Sequence, residues 1–159
     1  MKKAAALSLA GEVFDSKPPA TDYPTFIGDD VVEPKDHFIV RDGKEFAGSH
    51  LIIDFWDAHN LDDIRLMDAA FRRAVEVCGA TLLHIHMHHF TPNGGISGVA
   101  VLAESHISVH TWPERRYAAF DVFMCGNARP EQAVPVLREA FQPGRIEVRE
   151  YLRGHWEGE

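Results

Sequence analysis

The spacing of apolar residues becomes regular at about position 50, and from there each regular stretch predicts an element of secondary structure. Residues 51–56 form a compact apolar run of strand length with one acidic interruption, which predicts a buried strand. Apolar residues then recur every three or four positions up to Cys78, a spacing typical of a helix with one buried face. Asn60 is the expected N-cap of this helix, and Gly79 is expected to end it.

The remaining apolar runs predict further strands and a second helix. Four strands are expected at residues 81–90, 99–103, 107–112 and 117–124. A helix is expected at about 130–141, where Pro135 requires a later start or a kink, and a last strand at 146–151. The order, in short βαβββαβ, predicts an α/β (α+β) fold: a two-layer sandwich with a mainly antiparallel sheet and two helices on one face.

The first 47 residues lack this regularity. Pro18, Pro19, Pro24 and Pro34 lie there among scattered charges, so residues 1–47 are predicted to be an irregular or partly disordered extension. Residues 48–159 are predicted to form one domain. The apolar run after Met1 is too short for a convincing signal peptide, and no stretch approaches the roughly 18 apolar residues of a membrane span, so no membrane partner is expected.

Composition narrows the class of protein. With 159 residues, 45% of them apolar and 25% charged, the chain has the make-up of a single soluble globular domain. A formal charge of −8 argues against a nucleic-acid partner, which would favour a basic surface. The two cysteines, Cys78 and Cys125, are too few for a disulfide scaffold and predict a reducing, cytoplasmic location.

Three histidines, His84, His86 and His88, alternate along one predicted strand. Alternation places their side chains on one face, but neighbours on a strand are splayed rather than convergent, and no matching acid or cysteine accompanies them. We therefore expect no metal site and interpret these histidines as a polar or interfacial face.

The segment with the most specific chemistry is ESHISVHTWPE, residues 104–114. Ser105 follows an acidic residue, Glu104, and precedes His110 by five positions. A serine in this position can attack the carbonyl group before it and convert the peptide bond to an ester, while a histidine moves protons in the elimination that follows. The product would be a pyruvoyl group.

This segment resembles the cleavage segment of the prokaryotic S-adenosylmethionine decarboxylases, whose proenzymes split before a serine to form a pyruvoyl cofactor. The sequence GISG at residues 95–98 has the family's spacing before that serine, and FMCG at 123–126 follows it, so the resemblance covers roughly residues 80–126. It implies self-cleavage between residues 104 and 105 and a covalent pyruvoyl group derived from Ser105. It also implies that the two cleaved chains stay associated and that the subunits pair into a homodimer, with each active site near the subunit interface.

The activity implied by the resemblance is that of a lyase. Through a Schiff base to the pyruvoyl group, S-adenosylmethionine would be decarboxylated to S-adenosylmethioninamine, the aminopropyl donor of spermidine and polyamine biosynthesis. In the implied roles, His110 removes the Cα proton of the ester, Ser97 assists processing by hydrogen bonding, and Cys125 returns a proton to the substrate. Glu104 and Ser105 flank the cleaved bond.

The implied substrate contacts are less specific. Glu114 is expected to accept hydrogen bonds from a ribose, Trp112 lies nearby, and Phe90 is expected to stack on adenine or to face a sulfonium. Two positions depart from the family pattern. The loop at residues 92–95 has one additional glycine, and Asp57 stands where a small, glycine-containing turn is usual.

Two alternatives stay open at the level of the sequence. Relatives of the family decarboxylate arginine or ornithine with the same pyruvoyl group, and Asp54, Asp57 or Glu114 would provide the acid that such a substrate requires. An uncleaved homologue would instead act as a binding or regulatory subunit. The sequence does not distinguish these substrates, and it does not decide activation by putrescine or the extent of processing.

Overall fold

Seven strands form one antiparallel sheet in the computed structural model, which describes residues 37–157. The strands are β1 Ile39–Arg41, β2 Lys44–Trp56, β3 Leu82–His89, β4 Ile96–Leu102, β5 Ser105–Trp112, β6 Tyr117–Met124 and β7 Arg145–Trp156. Their order is β1-β2-β6-β5-β4-β3, and β7 pairs with the other edge of β2. Strand β5 therefore lies inside the sheet, between β6 and β4.

The first helix, α1, covers Ile64–Cys78. Its N-cap is Asp63, whose carboxylate accepts hydrogen bonds from the backbone N–H groups of Arg65 and Leu66, both at 3.0 Å. The predicted cap, Asn60, was wrong because this residue has a φ of +56° and begins the turn before the helix. Gly79 ends α1 in the left-handed conformation, as predicted.

The second helix, α2, covers Ala133–Phe141 and follows a short 3₁₀ turn at Pro130–Gln132. Pro135 therefore lies in the first turn of α2, where a backbone N–H has no helical acceptor and its loss costs nothing. The later start is thus the correct one of the two predicted alternatives for this helix.

The hydrophobic core lies between one face of the sheet and the two helices. Alternate strand residues such as Ile53, Phe120 and Val109 are buried there, against Phe71 of α1 and Phe141 of α2. The other residues of each strand lie on the opposite face, which no other element of residues 37–157 covers. We call this second surface the open face. The predicted two-layer sandwich is confirmed.

The sheet begins earlier than the predicted domain boundary. Residues 1–36 of the predicted extension lie outside the described residues, but 39–47 belong to β1 and the start of β2. Asp42 and Gly43 join these strands in a tight hairpin, both with positive φ, of +51° and +73°. The described chain has one strand more before α1 than predicted. The four strands predicted between the helices are present as β3–β6, one more than the short form βαβββαβ counts.

Candidate active site

The peptide bond between Glu104 and Ser105 lies at the turn that connects β4 to β5. Ser105 is the first residue of β5, and its φ is +143°, a region that residues with a side chain rarely adopt. Such a conformation costs about 1–3 kcal/mol and persists only where the surrounding structure enforces it. The predicted cleavage point therefore coincides with backbone strain.

The carbonyl oxygen of Glu104 accepts two hydrogen bonds from Cys125. The backbone N–H donates at 3.1 Å and the thiol at 3.0 Å. The sheet brings the residues together, because Cys125 directly follows Met124, which pairs with Ser105. Burial, and then the negative charge of Glu104, raise the pKa of the Cys125 thiol above its ordinary value, so the thiol keeps its proton at neutral pH.

A second cluster lies at the other end of β5. His110 pairs with Ser97 in the β4–β5 register, and Ser97 Oγ lies 2.6 Å from His110 Nδ1. Both side chains belong to the open face. The ring of Trp112, two residues further along β5, lies 6.3 Å from that of His110 between ring centres.

A cavity of about 320 Å³ opens beside this cluster. Its lining contains the predicted substrate-binding residues Phe90, Trp112 and Glu114 together with the predicted processing residues Ser97 and His110. Of the four other lining residues, two have polar side chains, Asn93 and Thr111, and the sequence did not indicate them because a loop amide and a strand threonine show no distinctive spacing. The structure thus gathers five of the predicted site residues around one cavity.

The loop with the additional glycine forms one wall of this cavity. Phe90 N–H donates to the carbonyl of Gly95 at 2.8 Å, and Gly94 N–H donates to the carbonyl of Phe90 at 2.9 Å. Gly94 has a φ of +74°, which glycine adopts without strain. The longer loop therefore still closes on itself and leaves Phe90 beside Ser97.

The two clusters are far apart within one chain. Ser105 and His110 are separated by five residues of continuous strand, which is about 16 Å at the rise of an extended chain. The residues predicted to act on one serine therefore fall into two groups, Glu104–Ser105–Cys125 and Ser97–His110, at opposite ends of β5. We refer to them as the cleavage cluster and the histidine cluster.

Comparison with known proteins identifies the family to which this chain belongs. Residues 49–154, more than half of the chain, match a family model described as S-adenosylmethionine decarboxylase. The chain belongs to the S-adenosylmethionine decarboxylase family. The family predicted from the motif around Ser105 is confirmed, and with it the class of enzyme, a decarboxylase.

Individual proteins that are similar to this chain are also named as S-adenosylmethionine decarboxylases. An S-adenosylmethionine decarboxylase proenzyme of Thermomicrobium roseum is 47% identical over 108 residues, which cover 67% of this chain and 93% of the relative. One of Methanococcus aeolicus is 46% identical over 110 residues, with the same coverage of 67% and 93%. The crystal structure of the adenosylmethionine decarboxylase from Aquifex aeolicus is 30% identical, with a TM-score of 0.63, and the match covers 72% of this chain and 96% of that one.

Asp57, which departs from the pattern of the decarboxylase family, does not line the cavity. Its φ is +54°, so it keeps the left-handed conformation that a glycine would adopt there. Arg116 contacts it twice: Nη1 lies 3.8 Å from the carboxylate, and Nη2 donates to the backbone carbonyl at 3.1 Å. The predicted role of Asp57 in substrate binding stays a prediction, and the carboxylate already faces a cation.

The other two acids considered for a basic substrate differ in their surroundings. Asp54 accepts a hydrogen bond from Tyr117 Oη at 2.5 Å. Burial and this hydrogen bond raise the pKa of Tyr117 to about 12, so the hydroxyl remains a donor to the carboxylate over the physiological range. Glu114 lines the cavity. Of the three candidate acids, only Glu114 lines this cavity.

The alternating histidines His84, His86 and His88 lie along β3 and share the open face. Among residues 37–157, no three His, Cys, Asp or Glu side chains are grouped in a way that would hold a metal ion. Nor does any helix in the same range have the length and apolar character needed to cross a membrane.

Proposed function

We propose that this chain decarboxylates S-adenosylmethionine to S-adenosylmethioninamine, with a pyruvoyl group formed from Ser105 by cleavage after Glu104. A pyruvoyl ketone supplies the electron sink that loss of carbon dioxide from an amino acid requires. The observation that carries the proposal is the pair of hydrogen bonds from Cys125 to the Glu104 carbonyl. This carbonyl directly precedes Ser105, whose backbone is strained. Family membership supports the same reaction.

In the first step of self-cleavage, Ser105 Oγ attacks the carbonyl carbon of Glu104. The bond from that carbon to the Ser105 nitrogen breaks, the nitrogen takes a proton, and an ester replaces the amide. Negative charge develops on the carbonyl oxygen, where the N–H and S–H of Cys125 already donate. Donors placed in advance at a developing oxyanion lower the barrier to its formation. Relief of the strain at Ser105 favours the same step.

In the second step, His110 removes the Cα proton of Ser105. The bond between Cβ and the ester oxygen breaks, and Glu104 leaves as a carboxylate. Addition of water and loss of ammonia then complete the pyruvoyl group. Ser97 Oγ lies 2.6 Å from His110 Nδ1. In the tautomer in which Nδ1–H donates to Ser97, Nε2 is free to accept the proton, so the proposed role of Ser97 is to hold the ring in this tautomer.

We also propose that the enzyme is a homodimer in which each active site is shared. Since His110 lies about 16 Å along β5 from Ser105, the histidine cluster of one copy must meet the cleavage cluster of another. The open face carries the apolar surface that such pairing would bury, including Trp56 at 37%, Val101 at 39% and Trp112 at 41% exposure. A two-fold axis across this face brings opposite ends of the two β5 strands together.

The sheet keeps the two products of cleavage together. Residues up to 104 contribute β1–β4, and residues from 105 contribute β5–β7. Strand β4 pairs with β5, and β2 lies between β6 and β7, so three ladders join the chains. The proposed assembly is a homodimer of such two-chain subunits.

Both Cys78 and Cys125 are free thiols, which fits a reducing compartment such as the cytoplasm.

The cavity beside the histidine cluster is the proposed site of the adenosyl group. Phe90, Trp112 and Glu114 line this cavity. In the proposal, the two aromatic rings contact adenine and the sulfonium, and Glu114 accepts hydrogen bonds from the ribose hydroxyls. Cys125 then returns a proton to the α-carbon, a role that suits a thiol with a raised pKa. The pairing of Asp57 with Arg116 weighs against Asp57 as the acid for an arginine or ornithine substrate and leaves Glu114 for that role.

The deciding experiment is the intact mass of the purified protein under denaturing, reducing conditions. We expect two chains divided between Glu104 and Ser105, the second lighter by one ammonia than simple hydrolysis gives. Ser105→Ala is the control and should remain a single chain. One uncleaved chain in the wild type after long incubation would instead support a regulatory homologue.

Substrate choice requires a second measurement on the cleaved enzyme. Release of carbon dioxide from carboxyl-labelled S-adenosylmethionine, arginine and ornithine should be compared at equal concentration, with and without putrescine. We expect release from S-adenosylmethionine alone. Release from either basic amino acid at a higher rate would replace the proposed substrate and leave the cleavage chemistry intact.

A further inference from the structure

The side chain of Glu104 is held by a residue far away in the sequence. Its carboxylate accepts two hydrogen bonds from Thr81: the backbone N–H donates to Oε2 at 2.8 Å, and the hydroxyl donates to Oε1 at 3.2 Å. The carbonyl of Thr81 in turn accepts from the N–H of Ala103 at 3.0 Å. Three hydrogen bonds thus connect Thr81 to the turn that contains the cleaved bond.

Glu104 is consequently fixed at both ends. Thr81 holds its carboxylate, and Cys125 holds its carbonyl oxygen. The carbon that Ser105 attacks lies between these two anchors. Attack by a neighbouring hydroxyl depends strongly on the orientation of the carbonyl group, because only a narrow range of approach is productive.

Thr81 is itself well placed to act as an anchor. It follows the C-terminal cap of α1, where Gly79 N–H donates to Glu76 and Ala80 N–H donates to Val75, both at 3.1 Å. Helix α1 is secured to the sheet by its buried face, which includes Cys78. The position of Thr81 therefore derives from the core, and the hydrogen bonds transmit that position to the cleavage turn.

We propose that Thr81 is a positioning residue for self-cleavage, acting through the carboxylate of Glu104. The inference rests on the proposed cleavage between Glu104 and Ser105. Hydrogen bonds to a charged acceptor are stronger than neutral ones. Since the contacts of Thr81 with Glu104 are solvent-exposed, their loss should affect the geometry of the turn more than the stability of the fold.

The test compares Thr81→Val, which keeps the shape and loses the hydroxyl, with Thr81→Ser, which keeps the hydroxyl. Each full-length precursor is made by cell-free synthesis, and the appearance of the two chains is followed with time. We expect cleavage of Thr81→Val to be about tenfold slower than that of the wild type, and Thr81→Ser to remain within about twofold. Equal rates for Thr81→Val and the wild type would overturn the inference.

A double-mutant cycle separates positioning from a structural effect. In the background Glu104→Ala the hydroxyl has no acceptor, so Thr81→Val should cause no further slowing. A full additional tenfold loss in that background would show that Thr81 acts elsewhere and would overturn the inference. If Thr81→Val melts at a lower temperature than Thr81→Ser, the comparison of Thr81→Ala with Thr81→Ser in both backgrounds decides by the same criterion.

Hydroxylamine identifies the step that is affected, because it cleaves an ester and spares an amide. If Thr81 positions the carbonyl for the first step, the Thr81→Val precursor should contain little ester, and hydroxylamine should not restore its cleavage. Rapid cleavage of this precursor by hydroxylamine would place the defect in the elimination and overturn the inference. Failure of the wild type to cleave at all would instead refute the proposed function.

Discussion

At the scale of single residues, two functions are proposed for Cys125, and only one of them depends on the thiol alone. Its backbone N–H and its thiol both donate to the carbonyl of Glu104. The thiol alone can carry a proton to a substrate. Burial and the nearby carboxylate raise its pKa, so the protonated form predominates at neutral pH. The two functions should therefore be separable by mutation.

We predict that Cys125→Ala still self-cleaves but turns over slowly. The backbone N–H remains to stabilise the oxyanion, whereas the proton donor is lost, which should lower kcat by about 10²-fold or more. Intact mass reports cleavage, and release of labelled carbon dioxide reports turnover. A Cys125→Ala precursor that stays uncleaved would show that the backbone N–H alone does not support self-cleavage.

The raised pKa of Cys125 predicts its reactivity. Only the thiolate reacts with iodoacetamide, so the alkylation rate should reach its half-maximum at a higher pH than that of a free cysteine in a short peptide. Cys78 should not interfere, since it is 1% exposed and burial raises its pKa to about 11. Rapid alkylation of Cys125 at pH 7 would contradict a protonated thiol.

At the scale of elements, Thr111 connects the parts that surround the histidine cluster. Its hydroxyl accepts from the N–H of Ile96 at 2.8 Å and donates to the carbonyl of Leu61 at 2.9 Å. The side chain thereby joins β5 to the start of β4 and to the loop before α1. Ser97 and His110 are each adjacent in sequence to a residue of this network.

We predict that Thr111→Val destabilises the fold by about 1–3 kcal/mol, because it leaves a buried N–H and a buried carbonyl without partners. Thr111→Ser keeps both hydrogen bonds and serves as the matched control. Urea unfolding of both variants in the Ser105→Ala background, which avoids cleavage during the measurement, gives the free energies. Equal stability of the two variants would contradict the assigned network.

At the scale of the whole molecule, the separation of the two clusters along β5 determines how an active site can form. One chain supplies a cleavage cluster and a histidine cluster, but the strand between them is too extended for the two to meet. In the proposed dimer, a second copy related by a two-fold axis would bring a histidine cluster to each cleavage cluster and give two equivalent sites.

This arrangement predicts complementation between two inactive chains. His110→Ala keeps Ser105 and lacks the base, whereas Ser105→Ala keeps the base and cannot cleave. Each variant alone should remain largely uncleaved. Co-expressed, they should form mixed dimers in which His110 of one chain processes Ser105 of the other, so a fraction of the His110→Ala chains should be cleaved. Mass spectrometry distinguishes the two chains, and absence of cleaved His110→Ala product would contradict a shared site.

Much of the site could be predicted because the residues concerned are close together in the sequence. The segment around Ser105 contains the proposed nucleophile and the bond proposed to be cleaved in consecutive residues, and the glycine that ends α1 is determined by the conformation of a single residue. The start of α1 could not be placed correctly from its sequence, since Asn60 and Asp63 are both good caps. Only the turn at Asn60 decides between them.

The sequence by itself determined the family and the layered fold, and it predicted the cleaved bond and the kinds of side chain that serve it. Each of these depends on residue type and short spacing, which the chain order preserves. Only the tertiary structure decided that Ser105 and His110 lie apart and that Thr81 reaches Glu104. The rise of strand β5 holds Ser105 and His110 apart although they are close in sequence. The packing of α1 against the sheet brings Thr81 to Glu104 although they are distant in sequence.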